Sequence, residues 1–197
     1  MDGLEITGTL VGLLYLWFEY RASIWLWVAG IVMPALSLFV YYRAGLYADF
    51  GINIYYLLAG VYGWLLWLRG TSGKKELPVI HTPVRQILPL TAVAVGLFFL
   101  IAWILIRFTD STVPWLDSLT TALSIVAMWM LAHKQAEQWW VWIVVDAVSC
   151  ALYFYKGLPF YAVLYGLYTV IAFFGYFSWL KICNSVSLSS EQKFIKR

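Results

Sequence analysis

The sequence predicts an all-α integral membrane protein with seven transmembrane helices in a parallel 3+1+3 repeat. Composition indicates the class, since 63% of the residues are hydrophobic and 12% are charged, against about 25% charged in soluble domains. Self-similarity between the two halves of the chain predicts the repeat. No stretch is left for a separate soluble domain, and the net charge of +3 does not indicate nucleic-acid binding.

Seven apolar segments are long enough to cross a bilayer core, which takes about 20 helical residues. They cover residues 4–20, 24–42, 46–68, 86–107, 115–132, 137–155 and 158–180. The first runs into the second without a small-residue cleavage site, so we expect no removable signal peptide. The predicted organisation is a three-helix repeat at 1–70, a linker loop and single helix at 71–110, a second repeat at 111–182 and a tail at 183–197.

The basic residues are distributed unevenly over the loops. With seven spans, ten of the 13 Lys and Arg residues fall on one side, and the other side holds Arg43, Arg107 and Lys156. Because cytoplasmic loops carry the excess of Lys and Arg, we expect the N-terminus outside and the C-terminus in the cytoplasm. The basic tail then lies near anionic lipid.

The two halves of the chain match when one is shifted by 112 residues. The matched positions include Trp27 with Trp139, Tyr56 with Tyr168, Gly63 with Gly175, Trp67 with Trp179, and Gly45-Leu46 with Gly157-Leu158. Each half holds three spans, and the segment 86–107 lies between them. An odd number of intervening spans gives both halves the same orientation, which predicts a parallel repeat about the membrane normal.

The sixth segment carries an aspartate near the predicted bilayer centre. Steps of three and four residues place on one helix face Trp139, Trp142, Asp146, Ser149 and Tyr153. A carboxylate at that depth is costly, so it faces a cavity or a partner. Because tryptophan rings attract cations, we predict a site for a small aromatic cation here. The alternative is that Asp146 bonds a neighbouring helix.

The last span of each half has a similar stripe of polar and aromatic residues. The predicted binding residues on these spans are Asn53, Tyr56, Tyr165 and Tyr168. Their shared spacing places them on one helix face, directed at the same central space. For Tyr56 and Tyr168 the alternative is core filling. Pro34 is the repeat mate of Asp146, so the halves differ at this depth, as a site for an asymmetric ligand requires.

Three groups of residues resemble the PnuC family of bacterial vitamin transporters. They are Tyr62-Gly63-Trp64 with Trp67, then Trp115-Leu116-Asp117-Ser118 followed by residues 123–128, and the run Trp139, Trp142, Asp146 leading to Tyr155-Lys156-Gly157-Leu158. The resemblance covers essentially the whole chain. It implies a seven-helix 3+1+3 fold similar to the SWEET sugar transporters, often as a homotrimer. It also implies facilitated diffusion of an unphosphorylated vitamin, which a cytoplasmic vitamin kinase retains in the cell.

Family members that carry nicotinamide riboside have a Trp-x-x-Trp-x-x-x-Asn pattern on the sixth span and a Gln on the third. This sequence has Asp146 and Asn53 at those positions. A carboxylate pairs well with the aminopyrimidine of thiamine, and aromatic rings accept its thiazolium cation. The stretch 47–53 also resembles the thiamine branch. We therefore expect thiamine uptake across the bacterial inner membrane, with nicotinamide riboside, also a cation, as the alternative.

Other functional classes fit the sequence less well. An intramembrane enzyme needs a nucleophile with a base, or a metal site, within the bilayer. Both His81 and His133 fall in predicted loops, and no second acidic residue shares the face of Asp146. A structural or receptor protein would not need a carboxylate among aromatic rings. We expect a transporter without enzymatic activity, cofactor or metal, whose partners are a vitamin and membrane lipid.

Overall fold

The computed structural model describes residues 3–44, 47–70 and 77–195, which form seven α-helices. They are α1 (Gly3–Tyr20), α2 (Trp25–Ala44), α3 (Tyr47–Arg69), α4 (Val84–Phe108), α5 (Pro114–Ala132), α6 (Gln138–Tyr155) and α7 (Pro159–Ile195). All seven begin within two residues of a predicted segment, and the first six also end so. The predicted all-α, seven-helix membrane fold is confirmed. The repeat match at residues 45–46 and the linker residues 71–76 lie outside the described residues.

Within the described residues, length and composition alone mark three stretches as able to cross a membrane, namely Val84–Phe108, Pro114–Ala132 and Pro159–Ser185. Helix α4 is largely exposed, and Ala102 is the one buried residue within Val84–Phe108. Helix α7 continues to Ile195, which is about 22 Å past residue 180 at 1.5 Å per residue. It therefore passes through most of the stretch that was expected to be a tail.

Contacts divide the chain into two compact units, residues 1–79 with 132–134, and residues 80–131 with 135–197. In the first unit α1 packs on α2 and α2 packs on α3. In the second unit α6 packs on α7. The central helix α4 belongs to the second unit, together with most of α5 and all of α6 and α7.

In the second unit, the contact between α6 and α7 is built on two tryptophans and a glycine. The Trp139 ring meets the Trp179 ring edge-on, with centroids 5.9 Å apart and planes at 85°. Both side chains are fully buried. The Trp139 ring fills the space beside Gly175, where an added Cβ would lie only 2.7 Å from it. The missing side chain of Gly175 therefore lets the two helices approach around a large ring.

The first unit repeats this arrangement between α2 and α3. The Trp27 and Trp67 rings meet edge-on at 5.6 Å and 88°, and the Trp27 ring occupies the space beside Gly63. These residues precede their counterparts in the second unit by 112 positions. The internal repeat is thus visible as one packing motif formed twice.

The two repeats also share an unusual backbone conformation after their first helix. Ala22 has a φ of 49° and Lys134 a φ of 52°, and these residues are again 112 apart. Such left-handed conformations cost free energy for residues other than glycine. At Lys134 the surroundings compensate: its ammonium group lies 4.1 Å from the Trp67 ring centroid, and the Trp67 indole N–H donates to the Ala132 carbonyl at 3.0 Å.

Within the second unit, the segment before α4 is bound to the start of α6. The Ala136 N–H donates to the Ile80 carbonyl at 2.9 Å. Glu137 Oε2 accepts hydrogen bonds from the Thr82 N–H at 2.6 Å and the Thr82 hydroxyl at 2.8 Å. Glu137 Oε1 lies 2.7 Å from His81 Nδ1. A single carboxylate thereby joins two segments that are 55 residues apart in the chain.

Partial burial raises the pKa of the Glu137 carboxyl, but the hydrogen bonds from His81 and Thr82 outweigh it and hold the pKa below the ordinary value of 4.5. A pKa depressed by folding means that the ionised carboxylate stabilises the folded state. This stabilisation is present above pH 4.5 and is lost as the pH falls through the folded-state value.

We predict that Gly175→Ala lowers the melting temperature of the detergent-solubilised protein, because a new methyl group must displace the buried Trp139 ring. Overpacking of this kind costs about 1–3 kcal/mol. The matched control is Gly96→Ala on α4, where an added Cβ meets nothing within 4 Å. That substitution should be neutral or slightly stabilising, because alanine favours a helix over glycine. Equal melting temperatures for the two variants would contradict the proposed role of Gly175.

We predict that Glu137→Gln destabilises the protein at pH 7 by about 1 kcal/mol, since charge-assisted hydrogen bonds are lost from a partly exposed site. Thermal melts of parent and variant should converge as the pH falls below 4.5, where the parent carboxylate also loses its charge. Asp110→Asn, at an exposed carboxylate, serves as the control. A difference between parent and Gln variant that is independent of pH would show that the charge of Glu137 is not stabilising.

Candidate functional site

Asp146 lies near the middle of α6 and is only 7% exposed. It is eight residues from the start of the helix at Gln138, or about 12 Å along an axis of about 27 Å. Ser149, also 7% exposed, lies on the same face about one turn further on. The second unit thus encloses a carboxylate and a hydroxyl at mid-height in a strongly apolar helix pair.

Helix α7 brings two of the predicted tyrosines to this carboxylate. Tyr165 and Tyr168 both lie within electrostatic reach of Asp146. Their rings contact each other at 5.6 Å and 62°. The structure therefore brings together four of the predicted residues in the second unit: the carboxylate and hydroxyl of α6 and the two phenols of α7.

Trp142 and Trp139 are in different environments although both were predicted to bind the ligand. Trp142, about one turn before Asp146, is half-buried. Its buried indole N–H has no hydrogen-bond partner in the part of the chain that the structure describes. Trp139 is fully buried in the contact with Trp179 and Gly175. The indole N–H of Trp139 is likewise unpartnered among the described residues. The two differ in packing, since Trp142 is partly exposed about one turn from the carboxylate, whereas Trp139 fills the contact with α7.

The other two predicted residues, Asn53 and Tyr56, lie on α3 in the first unit. Asn53 is half-buried and engaged with neighbouring groups. Tyr56 is 38% exposed, with its ring 5.5 Å from that of Tyr55. Tyr56 is thus more exposed than the fully buried Trp27 of the same unit. This exposure is that of a residue on a surface or lining a cavity.

Tyr153 joins the site, although it was predicted only as a member of the α6 stripe. Its ring stacks on Tyr165 at 5.1 Å and 29°. The stripe of three- and four-residue steps that includes Asp146 also includes Tyr153, so the sequence pattern already placed Tyr153 on the face of the site. Nearby, Gly166 of α7 lies beside Cys150, whose sulfur would be at an ordinary contact distance of 3.6 Å from an added Cβ.

These side chains are suited to recognising a ligand. A buried carboxylate favours a cation or a strong hydrogen-bond donor, and the faces of phenol rings attract cations. The Trp142 indole N–H and the Ser149 hydroxyl add hydrogen-bonding groups that can orient a polar ligand. A site with one anion, several aromatic rings and a few neutral polar groups matches a small, flat cation bearing hydroxyl or amino groups.

Comparisons with known proteins identify a family of transporters. Residues 2–181 match the sequence model of a family described as nicotinamide mononucleotide transporter. The chain is 26% identical over 205 residues to the nicotinamide riboside transporter PnuC of Escherichia coli (strain K12), covering 91% of this chain and 86% of that protein. It is 28% identical over 179 residues to the riboflavin/roseoflavin transporter RibM of Streptomyces davaonensis, covering 89% and 83%.

A solved structure is similar as well. The crystal structure of the vitamin B3 transporter PnuC superposes with a TM-score of 0.69 at 26% identity, over 90% of this chain and 80% of that one. The resemblance to the PnuC family predicted from the sequence is thereby confirmed, while the named relatives are nicotinamide riboside and riboflavin transporters. The chain belongs to the nicotinamide mononucleotide transporter family and is a membrane transporter of the vitamin type, not an enzyme.

Proposed function

We propose that this transporter takes up nicotinamide riboside across the bacterial inner membrane by facilitated diffusion. The observation that carries the proposal is the buried Asp146 carboxylate within electrostatic reach of Tyr165 and Tyr168. Nicotinamide riboside holds a pyridinium ring with a fixed positive charge. A carboxylate with aromatic faces beside it supplies both the counter-charge and the flat surface that such a ring needs.

The ribose offers a second means of recognition. Its hydroxyl groups accept and donate hydrogen bonds, and the Trp142 indole N–H and the Ser149 hydroxyl lie on the same helix as the carboxylate. Relatives named as nicotinamide riboside transporters share 26% and 28% identity with this chain over 91% of its length. Their substrate is thus the first to test.

Thiamine is the second candidate, and one residue favours it. The chain has Asp146 where the riboside pattern of the family has asparagine. A carboxylate can accept a hydrogen bond from the amino group of thiamine's pyrimidine ring, and the thiazolium ring is a cation that tyrosine faces attract. The same site therefore fits both vitamins in charge, and the difference between them lies in hydrogen bonding to one side chain.

Facilitated diffusion needs a sink for the transported vitamin. We propose that a cytoplasmic kinase provides it by phosphorylating the vitamin, because an added phosphate makes the product too polar to return. Uncoupled transport is the simpler mechanism for a site with one buried carboxylate, since coupling to protons would need a relay of ionisable groups. In this scheme the N-terminus lies outside and the C-terminus in the cytoplasm, and a homotrimer is the assembly that the family suggests.

We predict that Asp146→Asn separates the two candidate substrates. The substitution keeps shape but removes the charge, so thiamine binding should weaken by about 1.5–3 kcal/mol, or roughly ten- to a hundredfold. Nicotinamide riboside binding should hold steady or improve, because asparagine is the residue of the riboside-carrying pattern. The measurement is a titration of both vitamins against tryptophan fluorescence of the purified parent and variant.

Asp110→Asn is the matched control, because this carboxylate is exposed in the segment between α4 and α5. It should leave both dissociation constants unchanged. A parent that binds thiamine more tightly than nicotinamide riboside would reverse the order of the two candidates. If Asp146→Asn weakened both ligands alike and lowered the melting temperature of the empty protein, Asp146 would be a structural residue.

We predict a cytoplasmic C-terminus from the ten basic residues on that side of the protein. A green fluorescent protein fused after Arg197 should fluoresce, and a periplasm-active alkaline phosphatase at the same position should be inactive. Fusions at Lys156, in the predicted outer turn between α6 and α7, provide the reciprocal control. An active phosphatase after Arg197 would contradict the proposed orientation.

A further inference from the structure

Four tyrosines on α6 and α7 form a continuous series of ring contacts that ends at the carboxylate. Tyr161 contacts Tyr153 at 5.6 Å and 33°. Tyr153 contacts Tyr165 at 5.1 Å and 29°, and Tyr165 contacts Tyr168 at 5.6 Å and 62°. The last two lie within electrostatic reach of Asp146. The series therefore connects the turn between α6 and α7 with the middle of the helix pair.

These four rings are more exposed to the surroundings than the side chains of the protein core. All four tyrosines are half-buried, whereas the tryptophans that hold α6 against α7 are fully buried. They also differ from the outer surface of α7, where Val163 is 66% and Phe174 is 60% exposed. The tyrosines thus form a partly accessible aromatic surface that runs along the helix pair towards a nearly buried anion.

Helix packing does not require this series. Helices α2 and α3 pack through the same motif of two tryptophans and a glycine. In the first repeat, however, the residues that correspond to Tyr161 and Tyr165 are Asp49 and Asn53. The continuous series of tyrosines therefore occurs in the repeat that carries Asp146, and the packing of the repeat does not require it.

The charges at the open end of the series are compatible with the approach of a cation. Lys156 lies in the turn between α6 and α7, and its ammonium group is 3.3 Å from Asp117 Oδ1. The other oxygen of Asp117 accepts a hydrogen bond from the Ser111 hydroxyl at 2.8 Å. Because Lys156 is paired, its charge repels an incoming cation less than an isolated ammonium group would.

We propose that Tyr153 and Tyr161 form an outer subsite for the cationic aromatic ring of the ligand, through which it passes between the α6–α7 end and Asp146. This inference rests on the proposed transport of a cationic vitamin. Rings that follow one another at 5.1–5.6 Å offer a cation successive aromatic faces on the sides that the neighbouring ring does not cover. The carboxylate at the inner end gives the final place the strongest attraction. Tyr161 then governs how fast the ligand is captured, while Asp146 governs how tightly it is held.

The test compares capture and affinity in Tyr161→Leu and Tyr161→Phe. The leucine variant removes the ring and should lower kcat/KM for uptake into proteoliposomes about tenfold, the scale of one cation–π contact. Its dissociation constant, from tryptophan fluorescence at equilibrium, should stay within about twofold of the parent because the inner site is intact. The phenylalanine variant keeps the ring face and should transport like the parent. Nicotinamide riboside and thiamine are the two probes.

Phe174→Leu is the matched control, since it removes a ring from the exposed side of the same helix. It should change neither uptake nor affinity. Should Tyr161→Leu fold poorly, fluorinated phenylalanines at position 161 keep the size of the ring and reduce the negative charge of its face. Uptake should then slow progressively with fluorination, whereas a purely structural ring contact would not respond to it.

Three results would overturn the outer subsite. They are unchanged uptake by Tyr161→Leu, a dissociation constant that rises in parallel with the loss of uptake, and equal loss in the leucine and phenylalanine variants. Each would leave the proposed function standing if the parent binds and transports a cationic vitamin. A folded parent that binds neither probe would instead overturn the proposed function, and the outer subsite with it.

Discussion

The close approach of two helices around a buried tryptophan is the constraint on which the rest of the structure depends. In each unit an indole ring occupies the space that a side chain would fill at a glycine of the next helix. A second tryptophan meets that ring edge-on. Within a bilayer the hydrophobic effect does not drive helices together, so such close contacts provide much of the association energy. The contact of Trp139 with Gly175 and Trp179 brings α6 and α7 close together at one end of their interface.

That contact also determines the surroundings of Asp146. A carboxylate in the middle of an apolar helix is costly unless polar groups surround it. Because α7 is held against α6, Tyr165 and Tyr168 lie within electrostatic reach of this carboxylate. The electrostatics of the site are thus a consequence of helix packing about two turns away in the chain.

The sequence predicted the helices well because apolar length is a strong signal, and the 112-residue shift predicted the repeated packing motif. The end of α7 was missed because hydropathy marks the part of a helix that lies in lipid, whereas a helix can continue into polar residues. The stripe predicted the helix face on which Trp139 lies, but it could not show that a glycine on the next helix receives this ring. The left-handed Lys134 is neither glycine nor asparagine, so nothing local indicated it.

The duplicated motif distinguishes the packing residues, which are the same in both repeats, from the position of Asp146, which differs between them. The tryptophan–glycine contacts occur in both repeats, whereas the position of Asp146 corresponds to Pro34, which is buried in α2. After an ancestral gene duplication, one copy of this position could therefore change its chemistry while the scaffold kept its full set of contacts in both halves. Relatives named for nicotinamide riboside and for riboflavin are 26–28% identical to this chain, so proteins with a similar sequence are named for more than one vitamin.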